Sequence, residues 1–330
     1  MSDIQQLFPI FPGVFPLRDV VVSRDEMVAF AEAFDRQPFH IDEDAAKETL
    51  LGGLAASAWY TCAKISSSVE AVARELGVDA QIAGLEQVLL IAPVRAGDRL
   101  SGAIQLGAIE ACGCGYFITR GRIDINNQNG VSVMRLIVEL FLQRSNDVHV
   151  GVPIECKLRR SRPARAQRKA REDVIRYFDE IGIGDEALLG PYSFDTGKVE
   201  EFGMLTGNAP TLANSGEHHL LAEVLNWHLP AAWMQCMLRY YSEQESRFSA
   251  RGEVVPLLGP AAGVKDLRWV KPVRVGETIT FRGWAERKLE IASHNDWGLL
   301  VVGAEGVNSD GEVVVSFCPQ MLIQRAGAVS

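Results

Sequence analysis

The sequence predicts an α+β protein built twice over from one unit, each unit a long buried helix wrapped by an antiparallel sheet. Three observations predict it: a repeated motif, a repeated order of elements, and strands joined by turns so short that they must pair antiparallel. The motif is Pro-Val-Arg-x-Gly followed by an acidic residue, at Pro93 to Asp98 and again at Pro272 to Glu277, 179 positions apart. Both halves close alike, with LFLQR at 140–144 and MLIQR at 321–325. Upstream, FDRQP at 34–38 faces TGNAP at 206–210, and Ala-Trp recurs at 58–59 and 232–233. The offsets run from 172 to 181, as expected when loops drift while elements are kept. Four matches in one order amount to a duplication.

Taken in order, Ser23-x-x-Glu26 is a capping box that opens a helix with apolar Met27, Phe30, Ala31 and Phe34 on one face. Asp42 caps a second, short helix that stops near Gly52-Gly53. A long helix from about Ser57 to Leu76 follows, closed by Gly77, with too little charge before Glu70 to face water on many sides. Strands are expected over Leu85 to Ile91, Arg99 to Ala111, Tyr116 to Asn126 and Val131 to Arg144, with turn chemistry at Arg95 to Asp98 and Asn127 to Gly130. The second copy repeats this, with Pro230 at the start of its long helix and strands near Val264, Thr278, Gly298 and Glu312. The expected division is 1–150 for the first copy, 151–185 for a basic linker and helix, and 186–330 for the second copy. Lys157 to Arg171 carries eight Lys or Arg and no acid. A solvated linker is the commoner meaning of such a run, and an anion site for cofactor phosphates is the alternative.

Bulk properties narrow the class. A chain of 330 residues suits two domains, and 47% apolar with 23% charged residues is ordinary globular composition. No apolar run reaches the ~18 residues of a membrane span, and the N-terminus does not read as a secretory signal. Six scattered cysteines lack metal-ligand spacing and read as free thiols of a reducing compartment. A net charge of −9 argues against nucleic acid as partner. The cytoplasm is the expected compartment.

The chemistry is expected in the string Phe34-Asp35-Arg36-Gln37-Pro38-Phe39-His40. Asp35 ends a capped helix, His40 begins the next segment, and Pro38 stiffens the turn between them. Such a turn brings a carboxylate and an imidazole to one pocket, where they can hold and polarise one water. The long helix then starts 23 residues after Asp35. Its unpaired N–H groups and positive end suit an oxyanion developing on a carbonyl. Water addition across an α,β-unsaturated thioester needs that combination.

The Asp-x-x-Pro-x-His pattern, the Gly52-Gly53 stretch, the small residues opening the long helix and the Pro-Val-Arg-x-Gly-Asp strand pair resemble the MaoC-like family of (R)-specific enoyl-CoA hydratases and dehydratases. The resemblance covers nearly the whole chain and implies two hot-dog domains in tandem, a double hot-dog. It implies that Asp35 and His40 are the catalytic pair, that the backbone N–H of Ala58 receives the thioester oxygen, and that Ser66 supports the dyad by hydrogen bonding. Gln37 stands where the family commonly has Asn, and Ser57-Ala58 where it has His-Gly or Ser-Gly. In the second copy, aligning Pro38 with Pro210 puts Gly207 opposite Asp35 and Leu212 opposite His40, so that half is expected to be inactive. Freed from chemistry, it is expected to reshape an acyl tunnel, with Leu212 and Trp227 as lining residues.

The implied activity is reversible hydration of a trans-2-enoyl thioester to an (R)-3-hydroxyacyl thioester, an acyl-thioester hydro-lyase of fatty acid metabolism. Alternatives are a hot-dog acyl-CoA thioesterase, a dehydratase for a branched or dicarboxylic hydroxyacyl-CoA, and a non-catalytic acyl-thioester-binding protein. No metal or redox cofactor is implied; coenzyme A or an acyl carrier protein enters only as the substrate's carrier. A homodimer of such chains is open.

Overall fold

A computed structural model describes residues 12–113, 116–144, 168–171, 176–208, 223–292 and 294–327. In the first copy β1 (Gly13–Pro16) and β2 (Val20–Val21) lie along one strand, β4 (Arg99–Gly113). Helix α1 (Arg24–Phe34) follows, with Ser23 Oγ accepting the Glu26 N–H at 3.4 Å. The expected capping box closes on that side only. Glu26 turns its carboxylate to Lys64 Nζ (2.8 Å) and the Tyr60 hydroxyl (3.0 Å), which ties α1 to the long helix. The buried residues of α1 are the four expected from its periodicity. One-turn α2 (Pro38–Ile41) and α3 (Glu43–Lys47) come next, and Asp42 caps α3 through the N–H groups of Asp44 and Ala45. Helix α4 (Ala58–Glu75) has Ser57 as its N-cap. It ends where Gly77 takes a φ of +71°, a conformation that suits glycine. Strands β3 (Val78–Leu90), β5 (Tyr116–Asn126) and β6 (Ser132–Arg144) complete the unit. Strand β3 starts seven residues before the expected Leu85, because its first part pairs with β6 from Val78↔Arg144 onward.

The end of the basic segment carries β7 (Lys169–Ala170), and after it come β8 (Asp185–Ser193), α5 (Thr196–Thr206), α6 (His228–Ser249) and strands β9 (Leu258–Trp269), β10 (Thr278–Glu290), β11 (Trp297–Val307) and β12 (Val313–Gln324). Helices α1 and α5 have the same 11-residue length. Most of the basic segment lies outside the described residues. At its end, Arg168 pairs with Glu305 (2.8 Å) and Glu186 (3.4 Å) and lies over the Trp284 ring, while Arg171 meets Asp185 at 2.7 Å. These basic groups are therefore spent on the second copy's own acids. Cys62, Cys236 and Cys318 are free thiols, but Cys112 is disulfide-bonded, which corrects the expectation of free thiols throughout.

The strands form one sheet in the order β1-β4-β5-β6-β3-β9-β12-β11-β10-β8-β7. The two copies meet in the middle, where β3 and β9 pair antiparallel from Gly84↔Arg268 to Leu89↔Gly263. Gly263 is required there: a Cβ would sit 2.3 Å from the Val88 carbonyl oxygen. Arg268 reaches Glu139 across the seam at 3.0 Å. Both long helices lie on one face of this sheet, for Trp59 of α4 and Trp233 of α6 each meet the ring of Phe317 on β12 edge-on. Both tryptophans are core residues. Among the described residues, no helix is long and apolar enough to cross a membrane.

Candidate active site

Asp35 is the C-cap of α1, its backbone N–H returning to the Ala31 carbonyl. Three residues on, Pro38 opens α2, which carries His40. The expected proline-stiffened turn is wound into a helical turn here, since proline at the first position forfeits no hydrogen bond. Pro38 itself faces outward and shapes only the backbone. Asp35 is 2% exposed and His40 6%.

A buried carboxylate needs partners, and Asp35 has them. Its Oδ1 accepts from the Gln37 side-chain amide at 2.8 Å, so the extra methylene of Gln37 does not cost that bond. Its Oδ2 accepts from the Ser57 hydroxyl at 2.7 Å. Because Ser57 is also the N-cap of α4, the carboxylate is held at that helix's positive end. His40 Nδ1 lies 2.7 Å from the Ala55 carbonyl oxygen. A carbonyl only accepts, so Nδ1 carries a proton, and whenever the ring is neutral Nε2 is the bare nitrogen. That Nε2 stands 3.5 Å from Asp35 Oδ2. The gap is longer than a good hydrogen bond, which leaves both groups able to share a third partner.

Asp35, Gln37, His40 and Ala58 line one cavity of about 170 Å³. Ala58 is the first residue of α4, and its N–H has no hydrogen-bond partner among the described residues. The rest of the wall is largely apolar and comes from both copies: Trp59, Leu90 and Met134 from the first, Met234, Val264 and Met321 from the second. The second copy thus does form part of the pocket, through residues the sequence did not single out.

Other expected site residues lie elsewhere. Ser66 sits nine residues beyond Ser57, about 13 Å up the helix axis, and is not in the cavity wall. Its hydroxyl donates to the Cys62 carbonyl (2.9 Å) and accepts the indole N–H of Trp227 (2.6 Å). Trp227, expected in the tunnel wall, packs edge-on against Trp269 in the core instead. Leu212 lies outside the described residues. The Ala55 carbonyl was missed, as a backbone group has no sequence signature.

Two units that each lay a long helix on one shared antiparallel sheet define a double hot-dog protein. Residues 14–113 match the family model of the MaoC like domain. The first copy accordingly carries a MaoC-like domain over these residues, and the chain as a whole has the double hot-dog fold. A MaoC domain protein from Chloroflexus aurantiacus matches over 96% of both chains, with a TM-score of 0.70 and 13% identity. A Mycobacterium tuberculosis protein with a double hotdog fold matches over 95% of this chain and 96% of its own, at TM-score 0.62 and 13% identity. A Lactobacillus plantarum protein assigned as an oleoyl thioesterase matches over 96% and 98%, at TM-score 0.50 and 12% identity. At these identities the likeness is one of fold. Comparison with curated protein sequences finds no match.

Proposed function

We propose that the chain is an acyl-thioester hydro-lyase that reversibly adds water to a trans-2-enoyl thioester, giving the (R)-3-hydroxyacyl thioester. One observation carries the reading: a buried carboxylate and the Nε2 of a buried imidazole, 3.5 Å apart, line the same cavity as Ala58, the first residue of α4. A water between Asp35 and His40 Nε2 gives one proton to the pair as its oxygen bonds to C3. The π electrons of the C2–C3 bond shift toward the thioester, and its oxygen takes the charge against the Ala58 N–H. The pair then returns the proton to C2 on the same face, and the thioester carbonyl re-forms. Dehydration runs the same steps backward. Losing an oxyanion donor of this kind typically costs about 3–4 kcal/mol. In this reading the acyl chain lies along the apolar wall shared with the second copy, and coenzyme A or an acyl carrier protein stays outside as carrier.

The test is the loss of 2-enoyl absorbance in wild type, Asp35→Asn and His40→Ala. Each substitution is expected to lower turnover by at least ~10²-fold, the range for lost acid/base assistance. Wild-type rates in both variants would exclude the dyad. The same proteins assayed for thiol release from saturated thioesters separate a hydratase from a thioesterase.

A further inference from the structure

The Pro-Val-Arg-x-Gly motif occurs in both copies, and its backbone does the same thing in each. Asp98 N–H bonds to the Arg95 carbonyl and Glu277 N–H to the Arg274 carbonyl, both at 3.1 Å, while Gly97 and Gly276 take φ of +83° and +95°. The turn therefore does not explain the arginine side chain. In the second copy Arg274 is exposed and makes no side-chain hydrogen bond to the described residues. In the first, the Arg95 guanidinium reaches back more than forty positions and donates to three backbone carbonyls: Leu51, Gly53 (2.5 Å) and Leu54 (2.8 Å). No carboxylate among the described residues pairs with it, so its fork is used on the backbone alone.

Those carbonyls belong to the strap that leads into α4. Gly52 and Gly53 have φ of +62° and +146°, and backbone bonds from Gly53 to Ala46, Ala55 to Phe39 and Ala56 to Val94 hold the strap alongside Arg95. The next peptide carries the Ala55 oxygen that holds His40 Nδ1–H, and two residues further Ser57 holds Asp35. We infer that Arg95 is a positioning residue: by pinning Leu51 to Leu54 it fixes the Ala55 carbonyl, and with it the tautomer of His40. A lysine cannot reproduce this, since one ammonium cannot span three carbonyls in a fixed plane.

The kinetic part of this inference rests on the hydratase reading; the tautomer part does not. The experiment uses the full chain with ¹⁵N-labelled histidine, the His40 ring signals being assigned by their loss in His40→Gln. Long-range ¹H–¹⁵N correlation is expected to find the Nδ1–H form in wild type and a mixture with the Nε2–H form in Arg95→Gln and Arg95→Lys. Turnover of 2-enoyl thioesters should fall about 10–100-fold in both, with KM nearly unchanged, as for other partners that orient a reacting group. Arg274→Gln, the matched change in the other copy, should leave tautomer and rate alone. Should Arg95→Gln not fold, Arg95→Lys decides alone. An unaltered tautomer in folded Arg95 variants overturns the inference, as does the same loss in Arg274→Gln. If wild type hydrates no enoyl thioester, the hydratase reading fails while the ring signals still decide the role of Arg95.

Discussion

The openings of the two long helices show what became of each copy's site. In the first copy α4 starts at Ala58, beneath a serine cap, facing a cavity. In the second, the position matching Ala58 is Ala232, and α6 starts four residues earlier, at His228, with no side-chain cap. Both helices end at matching places, Glu75 and Ser249, so the difference is one added turn at the front. That turn occupies space. His228 is wholly buried, stacked on Phe202 at 4.6 Å, edge-on to Phe194 at 4.9 Å, and bonded through Nε2 to the Tyr192 hydroxyl at 3.0 Å. Meanwhile Gly207 caps α5 as Asp35 caps α1, so the matching position carries no carboxylate. One opening is kept hollow and polar; the other has been filled with rings.

Phe194→Ala strikes at the filling. It should cost about 3–5 kcal/mol, as for other buried phenylalanines, measured by urea unfolding, while hydratase turnover per folded molecule stays within about twofold of wild type. A small stability loss would mean the rings do not carry that corner.

The buried imidazole offers the next test. Desolvation pushes the pKa of His228 down from 6.5 to about 3. Between those values the unfolded chain binds a proton that the folded chain refuses, so this contribution is complete above pH 6.5 and is lost as the pH falls toward 3. The slope from this group approaches about 1.4 kcal/mol per pH unit. In His228→Phe the acid limb of the stability curve should be shallower by that amount; an unchanged limb would mean the ring is protonated in the fold. Smallest is Ser57→Ala, which removes a cap that α6 never had. It should cost about 1 kcal/mol of stability in thermal unfolding, and turnover should fall as Asp35 loses one of its two hydrogen-bond donors.

Much of this architecture was legible in the chain because local rules and long-range packing agree there. Helix α4 was placed to within a residue at each end by a serine and a glycine, and the end of β5 by the turn residues Asn127 to Gly130. Asp35 and His40 were legible because five positions of chain bring them together. The added turn of α6 was not. Pro230 looks like a first helical residue and is in fact the third, since the turn before it forms only when His228 is buried against residues from α1, α5 and β8. Ser66 and Trp227 were misjudged for a related reason: their bond joins positions 161 apart, and nothing in either neighbourhood announces it. Arg95 was read as part of a turn because its reach into the glycine strap is a tertiary event.

The seam between β3 and β9 has one more consequence. In an assembly of two identical chains, any change to a wall facing the partner's dyad would be imposed on both sites at once. Joining the copies end to end breaks that symmetry. Met234 and Val264 can be altered to recontour the space beside Asp35 while Asp35 and His40 stay unchanged in the first copy, so the polar pair and the wall that faces it can be inherited, and tuned, on separate stretches of the same gene.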